Sequence, residues 1–379
     1  MFSSKRGMSE LIGNYRVSGF AIRYSQFVPK LYNLCRSLGF RSGRTMPSRA
    51  FCSDENQGYP VILIAKHFGT FPFNHGQVGG IVATDRNGPH AHHGEDLVII
   101  HASHVGYDRE TRRFGHYRRL QTEGHEDTPT CGKVCGVLDW YQAEYRFAAE
   151  NILLRLEEGE RRVVIDNQLL RERREEGLFL NLEEMVSPDG EVRGLSTAKS
   201  YLAAPALVER LGEAAWPQGG GEEIGRRLSP ELFYFRREII GGHDEEGRAH
   251  LEVNLMPVMQ YVVTAEEPAL TAAQVNTQVE FDRAFRAMTR DPGYRGKRVL
   301  FVSGINIDVS PLPGNIFPLT KFVPWAAYFQ DVDGVHQIWE QRELAARIAA
   351  QSTDNPDRID LEEAIAMMEG VKEVVIEGV

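Results

Sequence analysis

The chain has 379 residues, of which 42% are hydrophobic, 25% charged and 9% aromatic, and it carries a formal charge of −10. This is the make-up of a folded protein with one large domain or two fused ones, and it excludes disordered, collagen-like and disulfide-scaffold classes. The acidic balance argues against a general nucleic-acid binder, no run of about 18 apolar residues marks a membrane span, and 4 cysteines are too few for a disulfide framework.

Residues 1–50 hold nine Lys/Arg against one acid, Glu10. A basic, acid-poor start can be a transit peptide. Phe27, Leu31, Leu34 and Leu38 nevertheless recur at helical spacing, with Pro29 expected in a first turn. The expectation is a cytoplasmic protein whose basic segment 1–26 belongs to the fold, with an organelle as the alternative.

Pro60–Ala65 reads as a short buried strand, followed by the Gly-rich stretch 76–80 and a loop over 85–93. Leu97–Ile100 reads as a second strand that runs into His101 and His104. From Leu138 to Leu156 the apolar stripe is helical. Arg171–Glu176 is a solvated charged face, 196–211 a capped helix and 217–223 a loop. Strands are expected at 260–264, 299–303 and 322–330. Helices are expected at 338–350 and 361–368, and a last strand at 373–377. Strands alternate with helices, so the fold class is α/β, with a central β-sheet flanked by helices.

Ligand-type residues are clustered. Residues 52–135 contain three of the four Cys and nine of the twelve His. Cys52, His101 with His104, and Cys131 with Cys135 fall at the ends of expected elements. Thiolate, imidazole and thiolate from three such ends form a typical Zn2+ set, with the fourth position left to water or a carboxylate. The spacing is not that of a closed zinc finger. Cys35 reads as a core thiol on the N-terminal helix, and His90, His92 and His93 as solvated loop residues. His243, His250 and His336 have no ligand-type neighbour. Of Cys131 and Cys135, one reads as a ligand and the other as a supporting thiol.

Several short motifs occur in a telling order: Cys52-x-Asp54-Glu55, the Gly79-Gly80 turn, His104-Val105-Gly106, a basic segment over 112–124, and Cys135-Gly136-Val137-Leu138. Val302–Asn306 and Phe322–Tyr328 follow. Together they resemble the limiting-CO2-inducible protein B/C family of β-type carbonic anhydrases, over about residues 27–340. The resemblance implies a β-carbonic-anhydrase-like α/β domain over 27–340; residues 157–250 and 341–379 lie outside what it matches, and read as an insertion and as C-terminal helices and a strand. It implies one zinc per site held by Cys52, His104 and Cys135, Asp54 as the catalytic carboxylate, and a homodimer or larger even assembly acting on CO2 and bicarbonate. The chain departs from the β-type pattern at Asn56, where an arginine would pair with Asp54. Arg49, Arg86 or the 112–119 segment would have to supply that partner.

The chemistry suits the residues. Zinc brings the pKa of a bound water to about 7, Asp54 orients the nucleophile, and His101, His92 or His93 carries protons away. Three rival readings remain. One is a non-catalytic zinc-binding regulator of the same fold. A second is a zinc deaminase, for which His93-Gly94-Glu95 and Pro129-Thr130-Cys131…Cys135 form an imperfect H-x-E…P-C-x-x-C signature. The third is a hydrolase with Cys52 as nucleophile.

Overall fold

The computed structural model describes residues 12–77, 80–82, 96–118, 127–171, 175–239, 246–315 and 318–371. Helix α1 (Tyr24–Ser37) buries Phe27, Leu31, Leu34 and Cys35, as its periodicity requires. Pro29 lies inside α1 rather than in its first turn, so this helix forgoes one backbone donor. Strand β1 (Thr45–Ala50) follows. The expected strand at Pro60–Ala65 is instead part of helix α2 (Gly58–Phe68). Six apolar residues are too few to show a period. The deciding signals were Pro60 in the first turn and Gly69, whose φ of 75° closes the helix in the left-handed conformation.

Strand β2 (Asp96–Asp108) is longer than its apolar run, so His101 and His104 lie within it rather than after it. Helix α3 (Gly132–Glu150) starts six residues before Leu138 and therefore contains Cys135. It also ends early: Ile152 and Leu156 belong to strand β3 (Ile152–Glu157), which forms a hairpin with β4 (Glu160–Asp166). The helix expected over 196–211 divides into strand β5 (Ala198–Leu202) and helix α4 (Pro205–Leu211), with Pro205 opening the helix. The β-branched run at 260–264 is helical, α5 (Met259–Val263), a case of context overriding strand propensity.

Helix α6 (Pro268–Arg290) leads to β6 (Val299–Val309) and β7 (Lys321–Gln330). Residues 338–340 belong to strand β8 (His336–Glu340), and helix α7 (Gln341–Ala349) begins only after it. Helix α8 (Leu361–Glu369) forms where its pattern placed it. The strand expected at 373–377 and the loop at 85–93 lie outside the described residues.

The chain divides into two compact units. One contains Gly132–Asn276, where β4 sits between β3 and β5 in an antiparallel sheet. In that unit Arg162 is fully buried and is held by Glu160, Ser200 and the Glu191 carbonyl.

The other unit contains Asn14–Cys131 and Thr277–Val379, and its centre is a mixed sheet in the order β7-β6-β2-β1. Strands β6, β2 and β1 are mutually parallel, whereas β7 runs antiparallel to β6. Ile22–Arg23 and β8 both pair with β7, and Tyr15 donates from its hydroxyl to the Val323 carbonyl at 3.1 Å. This unit therefore draws on residues ahead of α1. Alternation along the strands sends Val98, Ile100, Leu300 and Val302 to one face, against α1, α2 and α7. Leu97, Ile99, Val299 and Phe301 go to the other face, against Phe281, Ala284 and Met288 of α6.

On the first face Phe27 stacks on Phe322 with ring centroids 4.2 Å apart, and both rings are fully buried. Phe27→Ala should cost about 3–5 kcal/mol of stability. Urea unfolding followed by circular dichroism measures this, and an unchanged midpoint would contradict the packing described.

Candidate metal centre

Three parallel strands deliver the site at their C-terminal ends, where α/β proteins usually carry chemistry. Cys52 follows β1 by two residues, His104 lies late in β2, and Asp308 lies late in β6. Cys131 comes from the turn after the short strand Asp127–Pro129. Ligand atoms of Cys52, His104 and Cys131 lie within 4.8 Å of one another, and all three residues are buried.

The geometry fits a metal ion. The two sulfurs are 3.8 Å apart, far beyond a disulfide bond of about 2.05 Å. Two Zn–S bonds of about 2.3 Å at a tetrahedral angle would place them about 3.8 Å apart. His104 Nδ1 is 2.9 Å from Asp308 Oδ2, while Nε2 is buried without a hydrogen-bond partner. A buried imidazole nitrogen left bare beside two thiols suits a soft divalent cation such as zinc.

Gln57 Nε2 donates to Asp308 Oδ2 at 2.8 Å, and Thr320 donates from its hydroxyl to Asp308 Oδ1 at 3.1 Å. Burial pushes the Asp308 carboxyl upward, opposed by the hydrogen bond and charge of His104. Three donors on its two oxygens are what an ionised, acceptor-only carboxylate calls for. Burial pushes His104 downward, but Asp308 and the Cys52 sulfur outweigh it and hold the imidazole above its ordinary value. The Cys52 thiol is pushed up to about 12 by its contact with Cys131 and by burial, against the pull of His104.

Backbone closeness shapes the site as well. A Cβ on Gly76 would lie 2.2 Å from the Phe51 carbonyl oxygen, next to Cys52. A Cβ on Gly106 would lie 2.6 Å from the His116 oxygen and 3.0 Å from Thr130 Cβ, next to Cys131. Both positions accept only a bare α-carbon.

Of the ligands expected from sequence, Cys52 and His104 come together, and the thiol that joins them is Cys131. Cys135 lies in α3, within the other unit, and is not in this trio. Asp54 is half-buried and caps the short 3-10 turn Glu55–Gln57 by accepting from Asn56 N–H at 3.0 Å. It is close enough to Asp308 to raise that carboxyl's pKa. Among the described residues no arginine pairs with it; Arg49 is half-buried, and Arg118 pairs with Glu110. The Asn56 side chain is buried, and its Nδ2 has no hydrogen-bond partner among the described residues.

His101 faces away from the trio, on the α6 side of the sheet. Its ring nitrogens bond the Ser303 hydroxyl at 2.7 Å and the Gly80 carbonyl at 2.8 Å. Burial takes its pKa down to about 4. A fully enclosed imidazole with both nitrogens engaged does not shuttle protons. His92, His93 and Arg86 lie outside the described residues. Sequence reasoning missed Asp308, Gln57 and Thr320; Asp308 is the one acid in strand β6, but nothing in the sequence ties it to Gln57.

Among solved structures, that of PtLCIB4, a homolog of the limiting CO2-inducible protein LCIB, is 13% identical with a TM-score of 0.49, covering 85% of this chain and 95% of that one. The structure of LCIB is 11% identical with a TM-score of 0.47, covering 86% of this chain and 96% of that one. This chain is similar to the limiting-CO2-inducible proteins. No family model and no curated protein matches it. Among the described residues no helix is long and apolar enough to cross a membrane.

Because Cys131 and burial hold the Cys52 thiol protonated, a zinc ion bound here would have to displace its proton. Apparent zinc affinity should therefore rise about tenfold per pH unit for each proton displaced, and fall on acidification. Chelator competition between pH 6 and 8 measures the slope; a flat profile would remove Cys52 from the ligand set.

Proposed function

We propose that this protein is a zinc-dependent carbonic anhydrase that interconverts CO2 and bicarbonate, with Cys52, His104 and Cys131 as its metal ligands. The observation that carries the reading is the buried trio itself, two thiols and one bare imidazole nitrogen at zinc-ligand spacing. Three protein ligands are the mark of a catalytic rather than a closed structural site. Zinc, when bound, would supply the Lewis acid that makes a water nucleophilic near neutral pH.

The chain's own residues do the rest. Asp54 is the carboxylate next in sequence to the site, and its bond to Asn56 N–H restrains it where the β-type pattern would use an arginine. In this reading it accepts the hydrogen bond that orients the attacking water. Asn56 Nδ2, buried and unpaired, is a neutral donor available to an oxygen of bicarbonate. The thiol Cys135 is the competing third ligand that the sequence resemblance favoured. An even-numbered homo-oligomer in the cytoplasm completes the proposal; light scattering that finds only monomer at micromolar concentration would count against the assembly.

The absence of an arginine partner for Asp54 among the described residues favours a second reading, a zinc-binding regulator without turnover. A deaminase fits less well, since it leaves Cys52 without a role, whereas Cys52 lies 3.8 Å from Cys131.

Two measurements separate these readings. Elemental analysis should give about one zinc per chain in the parent, a large loss in Cys52→Ser and Cys131→Ser, and retention in Cys135→Ser; the opposite order for the last two would move the ligand to Cys135. Stopped-flow CO2 hydration by zinc-loaded protein should exceed the buffer rate, and Asp54→Ala should keep its zinc while losing about 100-fold or more in rate. A parent no faster than buffer would leave the regulator reading standing.

A further inference from the structure

Each sulfur of the trio offers a single ligand atom, whereas His104 has two ring nitrogens, and something must decide which one meets the metal. Beyond Asp308 the bonds continue in a line. Gln57 Oε1 accepts from Asn306 Nδ2 at 2.6 Å, and Asn306 Oδ1 accepts from the Tyr24 hydroxyl at 2.7 Å. Gln57, Asn306, Asp308, Thr320, Tyr24 and His104 are all at most 2% exposed.

The polarity of this line is fixed from the carboxylate outward. Asp308 accepts from His104 Nδ1, Gln57 Nε2 and the Thr320 hydroxyl. Gln57 must therefore turn its Nε2 toward Asp308 and its Oε1 toward Asn306. Asn306 in turn presents Nδ2 to Gln57 and Oδ1 to Tyr24. Flipping Gln57 alone would set acceptor against acceptor at Asp308 and donor against donor at Asn306, and flipping Asn306 alone would set acceptor against acceptor at Gln57, at a cost of about 1–3 kcal/mol for each unsatisfied group.

We propose that Gln57 and Asp308 are positioning residues of the metal centre, which together hold His104 as its Nδ1–H tautomer and present Nε2 to the metal. This rests on the zinc reading above and deepens it. Asp308 accepts the hydrogen bond from Nδ1–H, and Gln57 fixes the carboxylate by donating to the same oxygen. Thr320 occupies the other oxygen, so both oxygens of Asp308 are held by donors of the protein. Gln57 also ends the 3-10 turn that begins three residues after Cys52. One short segment therefore carries one ligand and steadies another.

The test uses the full-length protein. In the zinc-loaded parent, 15N NMR of the imidazole should show a protonated Nδ1 and a metal-bound Nε2 on His104; the reverse assignment overturns the proposal without any variant. Gln57→Glu sets a carboxylate against Asp308, and Asp308→Asn keeps the shape while removing the charge. Each should weaken zinc binding about 10–100-fold by chelator competition, and each should shift the thiolate-to-metal absorption of the cobalt-substituted protein. Both variants should also lower the unfolding midpoint of the metal-free protein, because each leaves buried polar groups unmatched; the shifted cobalt spectrum is what a purely structural role would not produce. Variants that match the parent in zinc affinity and cobalt spectrum overturn the positioning role, while the parent's zinc and its loss in Cys52→Ser preserve the zinc reading. A parent that binds no zinc overturns both.

Discussion

Parallel pairing between β2 and β6 sets His104 directly beside Asn306, with Asp308 two residues further along on the same face. Every other feature of the centre depends on that register. A slip of one residue would turn His104 and Asp308 toward opposite sides of the sheet and leave a buried carboxylate unpaired. The register is held by eleven consecutive pairs between the strands, and all eleven residues of β6 are buried. Apolar residues early in the strands thus fix where polar residues fall at their ends.

The same strand also explains why two histidines three residues apart have different fates. His104 faces α1 and α2 and meets thiols, a carboxylate and an amide. His101 faces α6, where Ser303 and the Gly80 carbonyl take up both nitrogens. Both imidazoles are fully buried, so burial alone separates nothing. What differs is that one ring keeps a nitrogen unsatisfied and the other does not. That is a physical criterion for ligand character, and it needs no knowledge of relatives.

Much of this was legible in the chain. The clustering of Cys and His pointed to a metal centre, and the long buried strands β2, β6 and β7 announced themselves as apolar runs. Short runs misled: Pro60–Ala65 and 260–264 look like strands because five or six residues carry no clear period. The third member of the trio was harder. Cys131 and Cys135 are four residues apart, and only the true start of α3 at Gly132 shows that one precedes the helix and the other lies within it. Asp308 and Gln57 were out of reach for a different reason. They are 251 residues apart in the chain, and one sequence contains no signal of that pairing.

The two close-packed glycines bear on how such a centre would change over evolutionary time. A chain that stopped binding metal could replace Cys52 or Cys131 with any small residue and keep its fold. Gly76 and Gly106 have no such freedom, because a side chain at Gly76 would press on the Phe51 backbone and one at Gly106 on the His116 backbone and the Thr130 side chain. The glycines should therefore outlast the thiols. In a lineage that has lost the metal, the former site would be marked by glycines whose original reason is no longer present.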